Sequence, residues 1–215
     1  MRKILCYIGL LLCCVPAFSQ QKEIYLQGKL TGLNHEDIIL EISTAAKKTK
    51  TLYCDFVQEK TSSLVAETAI SKGKMYFKSP HSLRWEYVSP QASALIVNNN
   101  DVALKTANGT NADVNTRMLK ELANIIISSI DGSGLNDSKN FSADLSVSDL
   151  HYMVELTPVN KRIAAVYSSI VLIIQRETYL ADSIILIEKN GDKMKISFSN
   201  HKLNQPLDNK LFNVE

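Results

Sequence analysis

Between Leu52 and Val97 the sequence alternates with a period of two, and this alternation restricts the fold more than any other feature of the chain. Leu52, Cys54 and Phe56 alternate with Tyr53, Asp55 and Val57. Met75 and Phe77 alternate with Lys74, Tyr76 and Lys78. Leu83, Trp85 and Tyr87 alternate with Arg84 and Glu86, and Leu95 and Val97 continue beyond Pro90. Successive side chains of a strand point to opposite faces, so each segment predicts a strand with one apolar and one charged face. In a helix the same residues would be scattered around the axis. Pro80 and Pro90 stand where strands can end.

The pattern resumes later. Tyr152, Val154 and Leu156 alternate with His151, Met153 and Glu155. Ser168 to Gln175 and Tyr179 to Glu188 are rich in Ile, and Met194, Ile196 and Phe198 alternate with lysines and serines. Asn98 to Asp101 predicts a tight polar turn before a short strand, Val102 to Lys105, and Asn190-Gly191-Asp192 predicts a hairpin turn. About ten strands at regular spacing predict a mainly β (α+β) chain: one antiparallel sheet, strongly curved or barrel-like.

Two stretches break the alternation. His35 to about Lys50 carries Ile38, Ile39, Ile42, Ala45 and Ala46 at helical spacing, with Asn34 as a cap and Lys47, Lys48 and Lys50 near the C-terminus. Asn115 to Ile130 carries Met118, Leu119, Leu122, Ile125, Ile126 and Ser129 at the same spacing. Gly132 and Gly134 then stop it.

The first nineteen residues predict a secretory signal peptide. Arg2 and Lys3 precede an apolar run from Ile4 to Val15, and Ala17-Phe18-Ser19 supplies a small-residue cleavage site. The run is too short to span a bilayer core of about 30 Å. A lipidation signal would set small residues before the modified Cys, but Leu12 precedes Cys13 and Cys13 precedes Cys14. Residues 20–215 then form one domain. Cys6, Cys13 and Cys14 leave with residues 1–19, and Cys54 alone remains, so no internal disulfide can form. Arg2 and Lys3 leave as well, and the remaining bases and acids balance to zero net charge. Nothing then favours nucleic acid or an anionic membrane as partner.

No constellation for catalysis or a metal is visible. His35, His81, His151 and His201 are far apart, and no pair has the i, i+4 spacing of a helical zinc site. Cys54 alternates in phase with Leu52 and Phe56, as a small buried apolar residue would. Asp131-Gly132-Ser133-Gly134 lacks the glycine spacing of a nucleophile elbow, and no phosphate-binding glycine loop occurs. Arg84 and Glu86 read as a solvated strand face. The stripe Leu83, Trp85, Tyr87 reads either as ordinary core or as the wall of a ligand cavity, because a curved sheet with an apolar concave face is filled by helices, side chains or ligand.

Several of these segments, in this order, resemble the LolA family of periplasmic carriers of outer-membrane lipoproteins. Cys54-Asp55-Phe56-Val57-Gln58-Glu59 resembles its Phe-x-Gln opening strand. Gly73-Lys74-Met75-Tyr76-Phe77-Lys78-Ser79-Pro80 resembles the next, and Leu83-Arg84-Trp85-Glu86-Tyr87 with Pro90 its most recognisable stretch. Leu95-Ile96-Val97, the Asn98 turn, Val154 to Pro158 and the ending Leu207 to Phe212 continue the likeness. Two departures stand out. Ser79 precedes Pro80 where well-known members have Arg, and Asp101 to Asn115 lacks the family's aromatic Asp-Pro continuation.

The resemblance implies an unclosed antiparallel β-barrel whose curved sheet is covered by helices forming a lid over an apolar cavity. It implies no enzymatic activity and no cofactor. The implied cargo is the acyl chains of lipoproteins, received from an inner-membrane lipoprotein-releasing ABC transporter and passed to an outer-membrane acceptor, and a monomer suits the family. Keeping one long acyl chain from water is worth on the order of 10 kcal/mol, at about 0.8 kcal/mol per methylene. The expected cavity wall comprises Phe56, Met75, Phe77, Leu83, Trp85, Tyr87, Leu95 and Val97. Met118, Ile125 and Ile126 of the second helix are the expected lid face. Met194, Ile196 and Phe198 are weaker candidates opposite. Three other readings are a carrier of another acylated or hydrophobic molecule, an exported β-protein that binds a protein partner with its apolar face filled, and a lipid hydrolase lacking any visible nucleophile–base pair.

Overall fold

The computed structural model describes residues 34–64, 67–107, 109–111 and 116–214, with the side chains of 110–111, 116–119, 121 and 122 outside the description. Helix α1 (His35–Ala46) is followed by β1 (Thr51–Thr61), β2 (Thr68–Lys78), β3 (Ser82–Ser89), β4 (Ser93–Asn98), β5 (Asp101–Thr106) and β6 (Gly109–Asn111). Then come α2 (Thr116–Ile130), a 3-10 turn (Ser133–Asn136), β7 (Phe141–Val147), β8 (His151–Pro158), α3 (Lys161–Ala164), β9 (Tyr167–Gln175), β10 (Ala181–Glu188), β11 (Lys193–Leu203) and a last 3-10 turn (Asn209–Phe212).

The strands pair antiparallel in the order β6-β5-β4-β3-β2-β1-β11-β10-β9-β8-β7. Among the described residues β6 and β7 end the sheet without meeting, so it is an unclosed barrel, as expected. The described residues form eleven strands where the sequence predicts about ten. β6 and β7 carry no alternation strong enough to announce them, and β10 begins at Ala181 because Tyr179 turns with φ 57. α1 stops at Ala46 rather than near Lys50. The amides of Lys48 and Thr49 fold back on Ala45 and Ala46, and the chain must already be extended at Thr51 to seat Leu52, Cys54 and Phe56.

The apolar positions of β1, β2 and β3 face one side of the sheet, and α1 and α2 lie on that side. Ile38, Ile39 and Ile42 of α1 join Ala123, Ile125, Ile126 and Ile127 of α2 in one core with Leu52, Phe56, Phe77 and Trp85. On the outer face Arg84 Nε donates to Glu86 at 2.8 Å and Tyr53 donates to Asp55 at 2.7 Å. β4 departs from simple alternation: Ala94 and Ile96 are buried as well as Leu95 and Val97. The reason lies at the other end of the chain, where the Asn209–Phe212 turn packs on β3 and β4 and buries Phe212.

Two glycines fix close approaches. At Gly73, opposite Phe56 on β1, an added Cβ would stand 2.1 Å from the Glu86 carbonyl oxygen and 2.4 Å from the Phe56 ring. Gly132 follows α2 with φ 71, and its added Cβ would stand 2.8 Å from Ser43 Cα of α1. The fully buried Ser43 hydroxyl donates to the Gly132 carbonyl at 3.1 Å, so α1 and the end of α2 are held together.

Candidate ligand cavity

The expected wall residues do come together, but as a packed layer. Phe56 stacks on Trp85 with centroids 4.0 Å apart, and Tyr87 meets Phe56 edge-on at 5.4 Å. Tyr87 donates its hydroxyl to Gln58 at 2.8 Å. Burial pushes the Tyr87 phenol above its usual pKa. Phe77 and Leu83 are fully enclosed, Leu95 and Val97 are buried beside them, and Ile125 and Ile126 close the layer from α2. Met118 is carried on α2, and its side chain lies outside the described residues.

Empty space begins where this layer ends. A cavity of about 140 Å³ lies between the C-terminal ends of α1 and α2 and the sheet. Its floor is Leu52, Met75, Ile174, Ile184 and Phe198, and its roof is Ile42, Ala45 and Ile130. The rim is polar: Thr49, Ser129, Tyr179, His201 and Asn204. Of the expected wall only Met75 reaches this space, joined by Phe198 from the weaker set. Ile42 and Leu52 were visible as apolar positions of a helix and a strand. The rim residues lie on turns and strand ends and carry no periodic signal. A second opening of about 260 Å³ lies further along α2, lined by Asn124, Ile125, Ser128, Phe141, Asn160 and Ile163 among others.

The rim is tied down by specific contacts. Tyr179 donates to Glu41 of α1 at 2.6 Å, and the Glu41 bond pushes the Tyr179 phenol up to about 12. Tyr179 also stacks on Tyr152, over which Arg176 lies 5.5 Å from the ring centroid. His201 lines the cavity with Nε2 3.2 Å from the Ala181 carbonyl oxygen and its ring tilted against Phe198 at 6.5 Å between centroids. Burial holds the His201 pKa below its ordinary 6.5, against smaller upward pulls from that carbonyl and from Asp182.

That depression has a sign. The unfolded chain takes up a proton at His201 as pH falls through about 6.5, before the folded chain does, so His201 costs stability as pH falls below that value. Urea unfolding at pH 7.5 and 5.5 should show wild type losing more stability than His201→Gln, and an equal loss would place His201 in solvent.

Cys54 is buried, and burial pushes its thiol far above the ordinary range, which suppresses the nucleophilic thiolate. No group of three His, Cys, Asp or Glu among the described residues is placed to hold a metal ion.

Comparison with solved structures finds a similar fold at low identity. An uncharacterized conserved protein from Thermus thermophilus aligns over 83% of this chain and 93% of its own, at 8% identity and a TM-score of 0.50. A LolA superfamily protein from Nitrosomonas europaea aligns over 82% and 96%, at 14% identity and a TM-score of 0.47. The MucA/MucB complex structure from Pseudomonas aeruginosa aligns over 81% of this chain and 59% of the matched one, at 12% identity and a TM-score of 0.48. No curated protein matches the sequence. The family model described as outer membrane lipoprotein carrier protein LolA matches residues 47–215, the stretch from the end of α1 to the C-terminus that builds the unclosed sheet, and the chain belongs to that family.

Proposed function

We propose that this protein is a periplasmic carrier that takes up the acyl chains of lipoproteins beneath its helices and moves them from the inner to the outer membrane. Residues 1–19 act as the export signal, and residues 20–215 form the carrier domain. The donor is an inner-membrane lipoprotein-releasing transporter and the receiver an outer-membrane acceptor. The observation that carries this reading is an apolar sheet face roofed by two helices with unfilled space at their C-terminal ends. Phe56, Trp85, Tyr87 and the rest of the packed layer are the surface that an entering chain would extend into.

A cavity of about 140 Å³ is small beside the roughly 300–1,000 Å³ of ordinary ligand pockets. Uptake therefore requires the roof to lift, with Ile125 and Ile126 moving off the sheet, and the carrier alternates between a filled-core state and a loaded one. Displacement of a fluorescent fatty-acyl probe from the mature protein tests this. Saturable binding is expected, with co-purified lipid identified by mass spectrometry naming the cargo class. A well-folded protein without saturable binding would sink the proposal. Ala45→Trp sets an indole into the roof of the cavity from a half-buried helical position. It should weaken probe binding about tenfold, or ~1.4 kcal/mol, with little change in thermal stability.

A further inference from the structure

We propose that the free edge of β7 accepts an extended polypeptide segment as an additional strand, and that Asp144 favours segments with a basic residue at the centre. This site is separate from the acyl cavity and stands or falls without it.

Sheet edges are normally blunted by shortness, Pro, Lys or a bulge, because their unpaired amides and carbonyls are a template for another strand. β6, at one end of this sheet, has three residues. β7, at the other, has seven, Phe-Ser-Ala-Asp-Leu-Ser-Val, with no Pro, no Lys and an unbroken register on β8. The bonds Val159 N–H to Asn140 carbonyl and Ser148 N–H to His151 carbonyl fix which residues of β7 bond to β8. By the two-residue alternation of an antiparallel ladder, Ser142, Asp144 and Ser146 are committed to β8, and Ala143, Leu145 and Val147 turn their N–H and C=O outward. Among the described residues no strand meets these groups.

Charge names the occupant. Asp144 is exposed and sits directly opposite Glu155 of β8. Neither carboxylate has an ion pair or hydrogen bond among the described residues. Their row continues through Val171 and Ile185 before it reaches a cation at Lys195. Like charges facing each other across strands are destabilising, and a basic residue arriving beside Asp144 relieves them. Asp144 is also the middle residue of β7. A second copy of this chain paired antiparallel along the whole strand would set Asp144 against its own counterpart, in the closer, non-hydrogen-bonded kind of pair. The edge therefore disfavours self-association and fits a foreign extended segment of opposite charge, bound through its backbone.

The probes are two capped, fluorescein-labelled nine-residue peptides of alternating Thr and Val, one with Lys and one with Glu at the centre. They are titrated against the mature protein by anisotropy, with amide exchange followed at Ala143, Leu145 and Val147. The Lys peptide should bind about fivefold or more tightly than the Glu peptide and protect those three amides. Asp144→Lys should reverse the preference. Ala143→Pro removes an outward N–H and no bond to β8, so it should abolish binding with the circular dichroism spectrum unchanged. Absence of binding, equal affinity for the two peptides, or a dimer in sedimentation with the same amides protected would each overturn the proposal.

Discussion

Gly73→Ala should destabilise the protein by about 3 kcal/mol or more, a large effect for one methyl group. Gly73 sits on β2 beside a register shift against β3, where Lys72 pairs with Ser89 and Gly73 with Tyr87. The Phe56 ring occupies the space a side chain would need, and it does so while stacked on Trp85. An added Cβ meets a backbone carbonyl at 2.1 Å on one side and the ring on the other. The Glu86 carbonyl belongs to β3, so relief on that side would have to displace a strand. Phe56 is fully buried, so relief on the other would break the aromatic layer. Urea unfolding should show the loss, and the melting temperature should fall by roughly 10 °C in a domain of this size. Trp85 is the sole tryptophan, so its emission reports whether the Phe56 stack has opened. A loss below about 1 kcal/mol would mean that β3 yields more easily than this packing allows.

Gly132→Ala should cost a similar amount for a different reason. The backbone there is left-handed, which costs a residue with a Cβ roughly 1–2 kcal/mol. The Cβ would also press on Ser43 Cα at 2.8 Å and Ala46 Cβ at 2.9 Å, an overpacking of about 1–3 kcal/mol. About 3 kcal/mol in all is expected from equilibrium unfolding. Ser43→Ala is the milder companion: it leaves the buried Gly132 carbonyl without its donor, for about 1 kcal/mol. If Gly132→Ala were neutral, α1 and α2 would be free to part there, and the roof of the cavity would not be one unit.

The sheet was legible wherever one face is apolar and the other charged. β1, β2 and β3 alternate cleanly because their outer faces meet water, and the core residues they predict are the buried ones. β4, β9 and β10 are buried on both faces over four successive residues, so alternation fades and length and Ile content must stand in for it. β7 escaped because Ser142, Ala143 and Asp144 are all exposed, which leaves no periodic contrast to read. The packed apolar layer was legible, and the cavity beside it, which only Met75 of the expected wall reaches, was not. Sequence pattern marks side chains that avoid water, and Phe56, Trp85 and Leu83 avoid it by packing on one another. The gap arises where α1 stops at Ala46 and the chain turns through Thr49, together with the turn at Tyr179. Neither stop shows in the periodicity: the first is set by β1, which pairs with the distant β11, and the second by the tight connection between β9 and β10.

The two strands at the seam of the sheet come from opposite ends of the described chain: β1 pairs with β2 on one side and with β11 on the other. Each half, β1 to β6 and β7 to β11, is a meander of neighbours that can zip locally. The seam between them closes a loop of more than a hundred residues, which is slow and waits for β11 to be synthesised. Until then no complete core exists for the nascent chain to collapse into. The carrier proposed above, exported before it folds, would be served by this order of assembly, since its last-made strand completes the sheet.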